Sequence, residues 1–229
     1  MTPIDLLAGP VRPLGPDGVA SGIDKRPAER PLWLGVSGLD GDAQGDTRHH
    51  GGPEKAVHHY ALDHYDDWRA QIGERRVLRQ PGAFGENVST TGLTEADIAV
   101  GDVFRLGGAV VQVSQGRQPC WKLNLRFNLP DMAVRVQTSG RTGWYYRVME
   151  EGWVEPGAML ERIDRPAPEW TIARLCHAFY ADPLNKAELA ALADLKLLAE
   201  TWRRYAAGRL ATATVEDWTR RLYGDVHLG

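Results

Sequence analysis

Cys120 lies in the stretch VSQGRQPCWKLN (residues 113–124), with Arg117 three positions before it and Lys122 two after. Two fixed positive charges so close lower the pKa of a thiol and favour thiolate, the form that acts as a nucleophile or as a ligand to a soft metal. The bland alternative, a small buried hydrophobe, suits Cys176 better, because that residue falls in the apolar run TIARLCHAFY (171–180). A second cluster, DTRHHGGPEKAVHHYALDH, packs His49, His50, His58, His59 and His64 into sixteen positions and leaves only His177 and His227 elsewhere. Histidines at this density suggest a metal or an anion. Zinc requires three or four converging ligands, yet His58 and His59 are neighbours on a predicted strand and must point to opposite faces, so at most one can join a site. Gly51 and Gly52 let backbone N–H groups approach a ligand, and Lys55 adds charge, which makes an anion cradle; a surface turn with solvated histidines is the alternative. The third segment is GAFGENVST (82–90). Its glycines bracket Phe84 and would direct the Glu86 carboxylate and the Asn87 amide into a cleft, although ordinary turn chemistry explains the composition as easily.

The elements that must position these groups are short and punctuated by Gly and Pro up to about residue 165, which predicts a strand-rich domain. VHHYA (57–61), DVFRL (102–106), AVVQVSQ (109–115) and WYYRVM (144–149) are the predicted strands, the second and third joined by a Gly107-Gly108 hairpin. Leu62, Tyr65, Trp68 and Ile72 recur at helical spacing before Gly73, so a helix decorates the sheet. After Pro166 and Pro168 the composition turns to Ala and Leu, and three helical segments are predicted: 171–180, a long stretch from Lys186 to Gly208 with a break near Asp194, and 215–224. Thr171 and Thr214 are the predicted caps, Thr214 forming a capping box with Asp217. The expected organisation is therefore a mainly β domain over residues 1–165 and a small three-helix C-terminal domain over 166–229, with Leu189, Leu192, Leu195, Leu198 and Trp202 as an apolar stripe.

Composition narrows the function. A chain of 229 residues with 43% hydrophobic and 25% charged residues can bury one substantial core. Its net charge of −3 provides no global field for phosphate backbones, so nucleic-acid binding by charge is disfavoured. The opening MTPIDLLAGPVRPLG is interrupted by Gly9, Pro10 and Pro13 and has no basic start, and no apolar run nears the ~18 residues of a membrane span, so a cytoplasmic, non-membrane protein is expected. Two cysteines are too few for a disulfide framework.

Together, HHGGPEKAVHHY, GAFGENVST, GDVFRLG and VSQGRQPCWKLN resemble, in order, the MOSC domain, and specifically its YiiM-like bacterial branch, in which a three-helix extension follows that domain. The resemblance runs from about residue 20 to the end of the chain. It implies a β-barrel-like core that holds a molybdenum–pyranopterin cofactor, with Cys120 as the protein ligand to molybdenum. It also implies reduction of N-hydroxylated compounds, including hydroxylaminopurine-type base analogues, and so resistance to them. The terminal phosphate of such a cofactor needs an electropositive pocket, for which His50, Gly51, Gly52, Lys55, Asn87, Arg117, Lys122 and Asn124 are the candidates beside Cys120. Reductive loss of a hydroxyl from nitrogen requires a proton donor, and His59 and Glu86 are the candidates. Two positions depart from the family pattern: Gly116 stands where proline is usual, which is expected to loosen the loop that aims Cys120, and Gly45 replaces a frequent alanine.

Three other chemistries were weighed against this one. A zinc hydrolase would use the histidine cluster; a sulfur-carrier or cofactor-handling module would carry a persulfide on Cys120; pyridoxal phosphate chemistry on Lys122 lacks a visible carboxylate partner. No G-x-G-x-x-G fingerprint or Walker-type loop is present, and two cysteines cannot hold an iron–sulfur cluster. Electrons are therefore expected from an external flavin or iron–sulfur reductase acting as a transient partner, and a homodimer is compatible with the composition.

Overall fold

The computed structural model describes residues 1–45 and 51–224. His49, His50 and His227 lie outside the described residues. Among the described residues nine strands form the main sheet: β1 (Thr2–Pro3), β2 (Asp5–Ala8), β3 (Arg26–Pro27), β4 (Val57–Ala61), β5 (Val88–Thr90), β6 (Val103–Leu106), β7 (Ala109–Gly116), β8 (Trp144–Glu150) and β9 (Met159–Asp164). Their spatial order is β1-β9-β6-β7-β8-β4-β5-β2-β3. Only Ile4 separates β1 from β2. The first pairs with Met159 and Leu160 at one end of the order, the second with Val88 and Ser89 near the other. One continuous segment thus stitches the two ends together and closes the sheet into a barrel, leaving few open backbone edges. The β4–β5 pairing is parallel, while β4 pairs antiparallel with β8.

All four predicted strands are present, each shifted by no more than a residue at its ends. The β6–β7 hairpin turns at Gly107 (φ 58°) and Gly108, with Leu106 opposite Ala109. Alternation along β7, β8 and β4 sends Val111, Val113, Trp144, Tyr146 and Val57 into the barrel core. The predicted helix is α1 (His64–Ile72), ended by Gly73 at φ 74°. Its buried Tyr65 and Trp68 pack with Tyr60, Phe84, Phe127 and Met132 in a second apolar cluster. Two short helices, α2 (Lys122–Phe127) and α3 (Met132–Ser139), follow the cysteine segment; both are shorter than three turns, too short for a helical period to show in the sequence.

The C-terminal part holds four helices among the described residues, because the long predicted stretch divides at the expected break near Asp194. Helix α4 (Ile172–Cys176) is capped as predicted by Thr171, whose Oγ1 accepts from the Arg174 N–H at 3.1 Å, and continues as a π turn over His177–Ala181. The long stretch breaks into α5 (Lys186–Asp194) and α6 (Glu200–Thr212). Gly208 does not end α6: nothing crowds its position, and the helix runs on to Ala213 in left-handed conformation (φ 53°). Thr214 does not cap the last helix either. Its hydroxyl meets Thr212 Oγ1 at 2.8 Å, and α7 (Thr219–Tyr223) starts later, where Asp217 accepts from the Thr219 N–H. These helices do not form a separate bundle: Ile172, Leu175, Leu198 and Trp202 share one core with Val113 of the barrel, and the Ala199 N–H donates to the Ser114 carbonyl.

Candidate functional site

Register on the barrel wall decides which histidine meets the interior cavity. In the β4–β8 ladder His58 lies opposite Tyr145, and His59 opposite Trp144. Pleating therefore puts His58 and Tyr145 on one face, their rings 5.0 Å apart, and His59 on the other, its ring 4.3 Å from Trp144. The His58 face lines a cavity of about 540 Å³ that also holds Cys120, Arg117, Lys25, Lys55 and Lys122. His59 is fully buried in the core, with Nδ1 2.9 Å from Tyr146 Oη and Nε2 2.9 Å from Thr90 Oγ1. Burial lowers its pKa to about 3, so the ring is neutral.

The cysteine reaches the cavity because β7 ends at Gly116 and the chain turns. The Arg117 N–H donates to the Gly143 carbonyl at 3.0 Å, Pro119, which has no N–H to give a ladder, lies in the irregular segment that follows, and Cys120 precedes α2. Gly143 (φ 70°) is required there, since a Cβ would lie 2.3 Å from the His59 carbonyl oxygen. Gly116 stays in the ladder opposite Trp144, and a Cβ at this position would rest 3.5 Å from the Trp202 ring. The loosening expected at this glycine is thus not seen, because the ladder and the C-terminal helices hold it. Gly45 differs, because there a Cβ would approach the Ala20 carbonyl oxygen to 2.3 Å and the close approach of the two segments requires glycine.

The cavity is electropositive. Lys25, unnoticed in the sequence, is buried and ion-paired with Asp42. Burial lowers its pKa, and the Asp42 charge opposes that shift. Asp42 also accepts from the Gly9 N–H and from Asn87 Nδ2 at 3.0 Å, so one carboxylate holds two wall residues in place. Arg117 and His58 are both buried; the His58 ring is held against the backbone at Gly85 and Thr142, whereas Arg117 Nη1 has no hydrogen-bond partner among the described residues. A guanidinium nitrogen left unsatisfied in a protein interior is costly, which suits Arg117 to an anionic group bound in this cavity. Burial, and then the Arg117 charge, hold the His58 pKa well below its usual value, so it is neutral at pH 7. Burial raises the Tyr145 pKa, and its hydroxyl keeps its proton.

A larger groove of about 1830 Å³ runs between the barrel and the C-terminal helices and shares Gly45, Lys55, Cys120, Lys122 and Tyr145 with the cavity. Trp121, Tyr205, Trp218 and Arg220 line its outer part. Cys120 thus stands where an inner, cationic chamber meets an outer, aromatic one.

The other predicted residues fall as follows. Gly52 (φ 97°) opens the turn Pro53–Lys55, and its carbonyl accepts from the Lys55 N–H at 2.9 Å, which aims Lys55 at both chambers. Lys122 Nζ donates to the Ala20 carbonyl at 2.9 Å, and Asn87 lines the inner chamber. Gly51 is not on either wall. Asn124 does not line the cavity; it ties helices together, donating to the Leu222 carbonyl and accepting from the Ala133 N–H. Glu86 is fully buried behind the wall, where it accepts from Tyr65 Oη at 2.6 Å, from the Gly82 and Phe84 N–H groups at 2.7 and 2.9 Å, and from Ser89 Oγ at 3.2 Å. Neither proton-donor candidate, His59 or Glu86, reaches the cavity. His64 pairs instead with Glu95 at 2.6 Å, so the described members of the histidine cluster diverge. Among the described residues no three His, Cys, Asp or Glu side chains converge as a metal site, and none of the helices is long and apolar enough to cross a membrane. Cys176 is buried beside Thr142, and burial pushes its thiol up to about 12.

Comparison with known proteins agrees with this architecture. Residues 46–161 match the MOSC domain, and residues 170–213 match the YiiM-like 3-alpha helix domain. The protein YiiM of Escherichia coli strain K12 is 37% identical over 222 residues, covering 97% of this chain and 98% of that one. Its crystal structure superposes with a TM-score of 0.83 at 32% identity, over 98% of this chain and all of the other (100%). A Gibberella moniliformis protein named a reductase is 38% identical over 155 residues, which is 67% of this chain and 28% of that longer one. The chain belongs to the MOSC-domain family, in the YiiM-like branch whose barrel is followed by a three-helix domain.

Proposed function

We propose that this chain is a molybdenum-cofactor-dependent oxidoreductase that reduces N-hydroxylated compounds, hydroxylaminopurine-type bases among them, with the Cys120 thiolate as the protein's ligand to molybdenum. The observation that carries the reading is the pairing, on one wall, of a cysteine thiol with a buried and unsatisfied guanidinium nitrogen, Arg117 Nη1. A soft metal suits the thiolate, and an anionic tail suits the guanidinium. Arg117, Lys25, Lys55 and Lys122 would hold the phosphate end, while Asn87 and the Gly85 turn shape the wall. When bound, the cofactor supplies a metal centre that takes up and gives back two electrons.

The remaining work falls to the chain itself. Converting N–OH to N–H, with loss of water, consumes two electrons and two protons. Tyr145 retains its hydroxyl proton at the junction of the chambers, and neutral His58, held against the backbone at Gly85 and Thr142, lines the inner chamber beside it. The outer groove receives the substrate and the inner chamber the cofactor. The fungal relative's name favours redox chemistry over hydrolysis. An external flavin or iron–sulfur reductase is the electron donor in this reading, and the protein works in the cytoplasm.

Protein purified from a molybdenum-replete host should contain molybdenum and pterin in equal amounts and reduce N-hydroxylated bases with reduced viologen, but not with NADH alone. Cys120→Ala should keep its fold and lose both metal and activity. Zinc in place of molybdenum, turnover on NADH without a reductase, or near wild-type turnover in Cys120→Ala would refute the reading. A reducible mass increase of one sulfur on Cys120 would favour the carrier alternative.

A further inference from the structure

Both neighbours of Cys120 are tied to one residue of the terminal helix. Arg221 Nη1 donates to the Pro119 carbonyl at 2.6 Å, and the Arg221 carbonyl accepts from the Trp121 N–H at 2.8 Å. The same guanidinium donates through Nη2 to Gln137 Oε1 of α3 at 2.6 Å. Two further contacts fasten the helix to this segment. Asn124 Nδ2 donates to the Leu222 carbonyl at 2.8 Å, and Gly224 (φ 77°) lies so close to the Trp121 ring that a Cβ would approach it to 3.1 Å. Residues 219–224 lie beyond residue 213, where the match to the three-helix domain ends. Without them, the carbonyl before Cys120 and the N–H after it would lose their partners in a cleft wall, where neither belongs to a ladder or a helix.

We propose that α7 is a clamp whose residue Arg221 positions Cys120, bracketing it at Pro119 and Trp121 and anchoring the bracket to α3 through Gln137. The inference rests on Cys120 being the metal-ligating thiol of the proposed activity, but the bracket itself is a property of the chain. A planar guanidinium reaches two acceptors at fixed directions, which an ammonium on a flexible stem does not. Arg221 therefore acts by geometry, and lysine should replace it only in part. The clamp also sets the boundary between the chambers, since Trp121 and Arg221 both line the outer groove beside Cys120.

The test is hydrogen–deuterium exchange on the full, unloaded chain, followed peptide by peptide, beside kinetics of the loaded enzyme. Arg221→Ala should speed exchange across residues 117–124 about tenfold and leave strand β4 unchanged. In the loaded enzyme kcat should fall about tenfold with KM within about twofold, because substrate still binds while the thiolate is misplaced. Arg221→Lys should recover part of both losses. Unchanged exchange across 117–124 together with unchanged kcat in Arg221→Ala overturns the proposal, as does full recovery by lysine. Should Arg221→Ala fail to fold, Gln137→Ala releases one guanidinium nitrogen without altering α7 and must speed exchange in the same segment; no increase overturns the clamp. Faster exchange in a protein whose wild type binds no molybdenum would sink the proposed activity and leave the clamp standing. Molybdenum in the wild type, with neither exchange nor turnover altered in the variants, would sink the clamp alone.

Discussion

Glu86→Gln separates two roles that one buried carboxylate could have. Its Oε1 accepts from Tyr65 Oη, the Gly82 N–H and Ser89 Oγ, and its Oε2 accepts from the Phe84 N–H. Four donors converge on two oxygens, and the loop they hold supplies Phe84, Gly85 and Asn87 to the cavity wall. Glutamine can keep its carbonyl toward the first three donors, but its NH2 group then faces the Phe84 N–H. One charge-assisted bond is lost and one buried donor is left unpaired, which costs about 3 kcal/mol. For a chain of this size that lowers Tm by roughly 6–12 °C. Calorimetry at pH 7 measures the shift, and metal analysis shows whether the wall still holds its ligand. If Glu86 were the proton donor, the outcome would be inverted, with an unchanged Tm and activity down by about two orders of magnitude. That result would refute the structural role argued from the four bonds.

Arg117→Met should lower bound molybdenum and pterin in parallel by about tenfold or more, since Nη1 has no other partner to lose; full loading with only a raised KM would assign the residue to substrate instead. Lys122→Gln should act in the same direction but more weakly, because Lys122 already donates to the Ala20 carbonyl. Stability should fall as pH drops below about 6.5. His59 has a folded pKa near 3 against an ordinary 6.5, so in that window the unfolded chain binds a proton that the folded chain refuses. The loss is ~1.4 kcal/mol per pH unit, or ~2 kcal/mol at pH 5 relative to pH 8. His58, which burial also holds well below its ordinary pKa, adds to the same slope, so His59→Asn should reduce the slope without abolishing it in urea titrations at pH 5 and 8, and an unchanged slope would show that His59 contributes nothing to it. Cys176→Ala should cost ~1 kcal/mol in denaturant unfolding and spare turnover, because its protonated thiol only fills the core beside Thr142; a loss of activity at unchanged stability would give it a role in the chemistry.

Local chemistry in the sequence determined the four central strands, the first helix with its Gly73 stop, the Thr171 cap and the cysteine between two cations. Each depends on neighbours within a few residues, as pleating, helical spacing and side-chain capping do. The break near Asp194 was legible for the same reason. Gly208 and Thr214 misled because a glycine and a threonine suit helix ends without requiring them; α6 runs through Gly208 and ends at the left-handed Ala213, whose N–H donates to the Arg209 carbonyl. Alternation also established that only one of His58 and His59 could face a ligand, but pairing with Tyr145 or Trp144 selected which, and register belongs to the whole sheet. Lys25 and Asp42 gave no sequence signal at all: seventeen positions apart, they meet because the segments that carry them both pack against Gly9. Arg221 is 101 positions from Cys120, and no periodicity links the two. Its grip on Pro119 and Trp121 exists only because the C-terminal helices fold back over the barrel and share its core, which local propensity cannot encode.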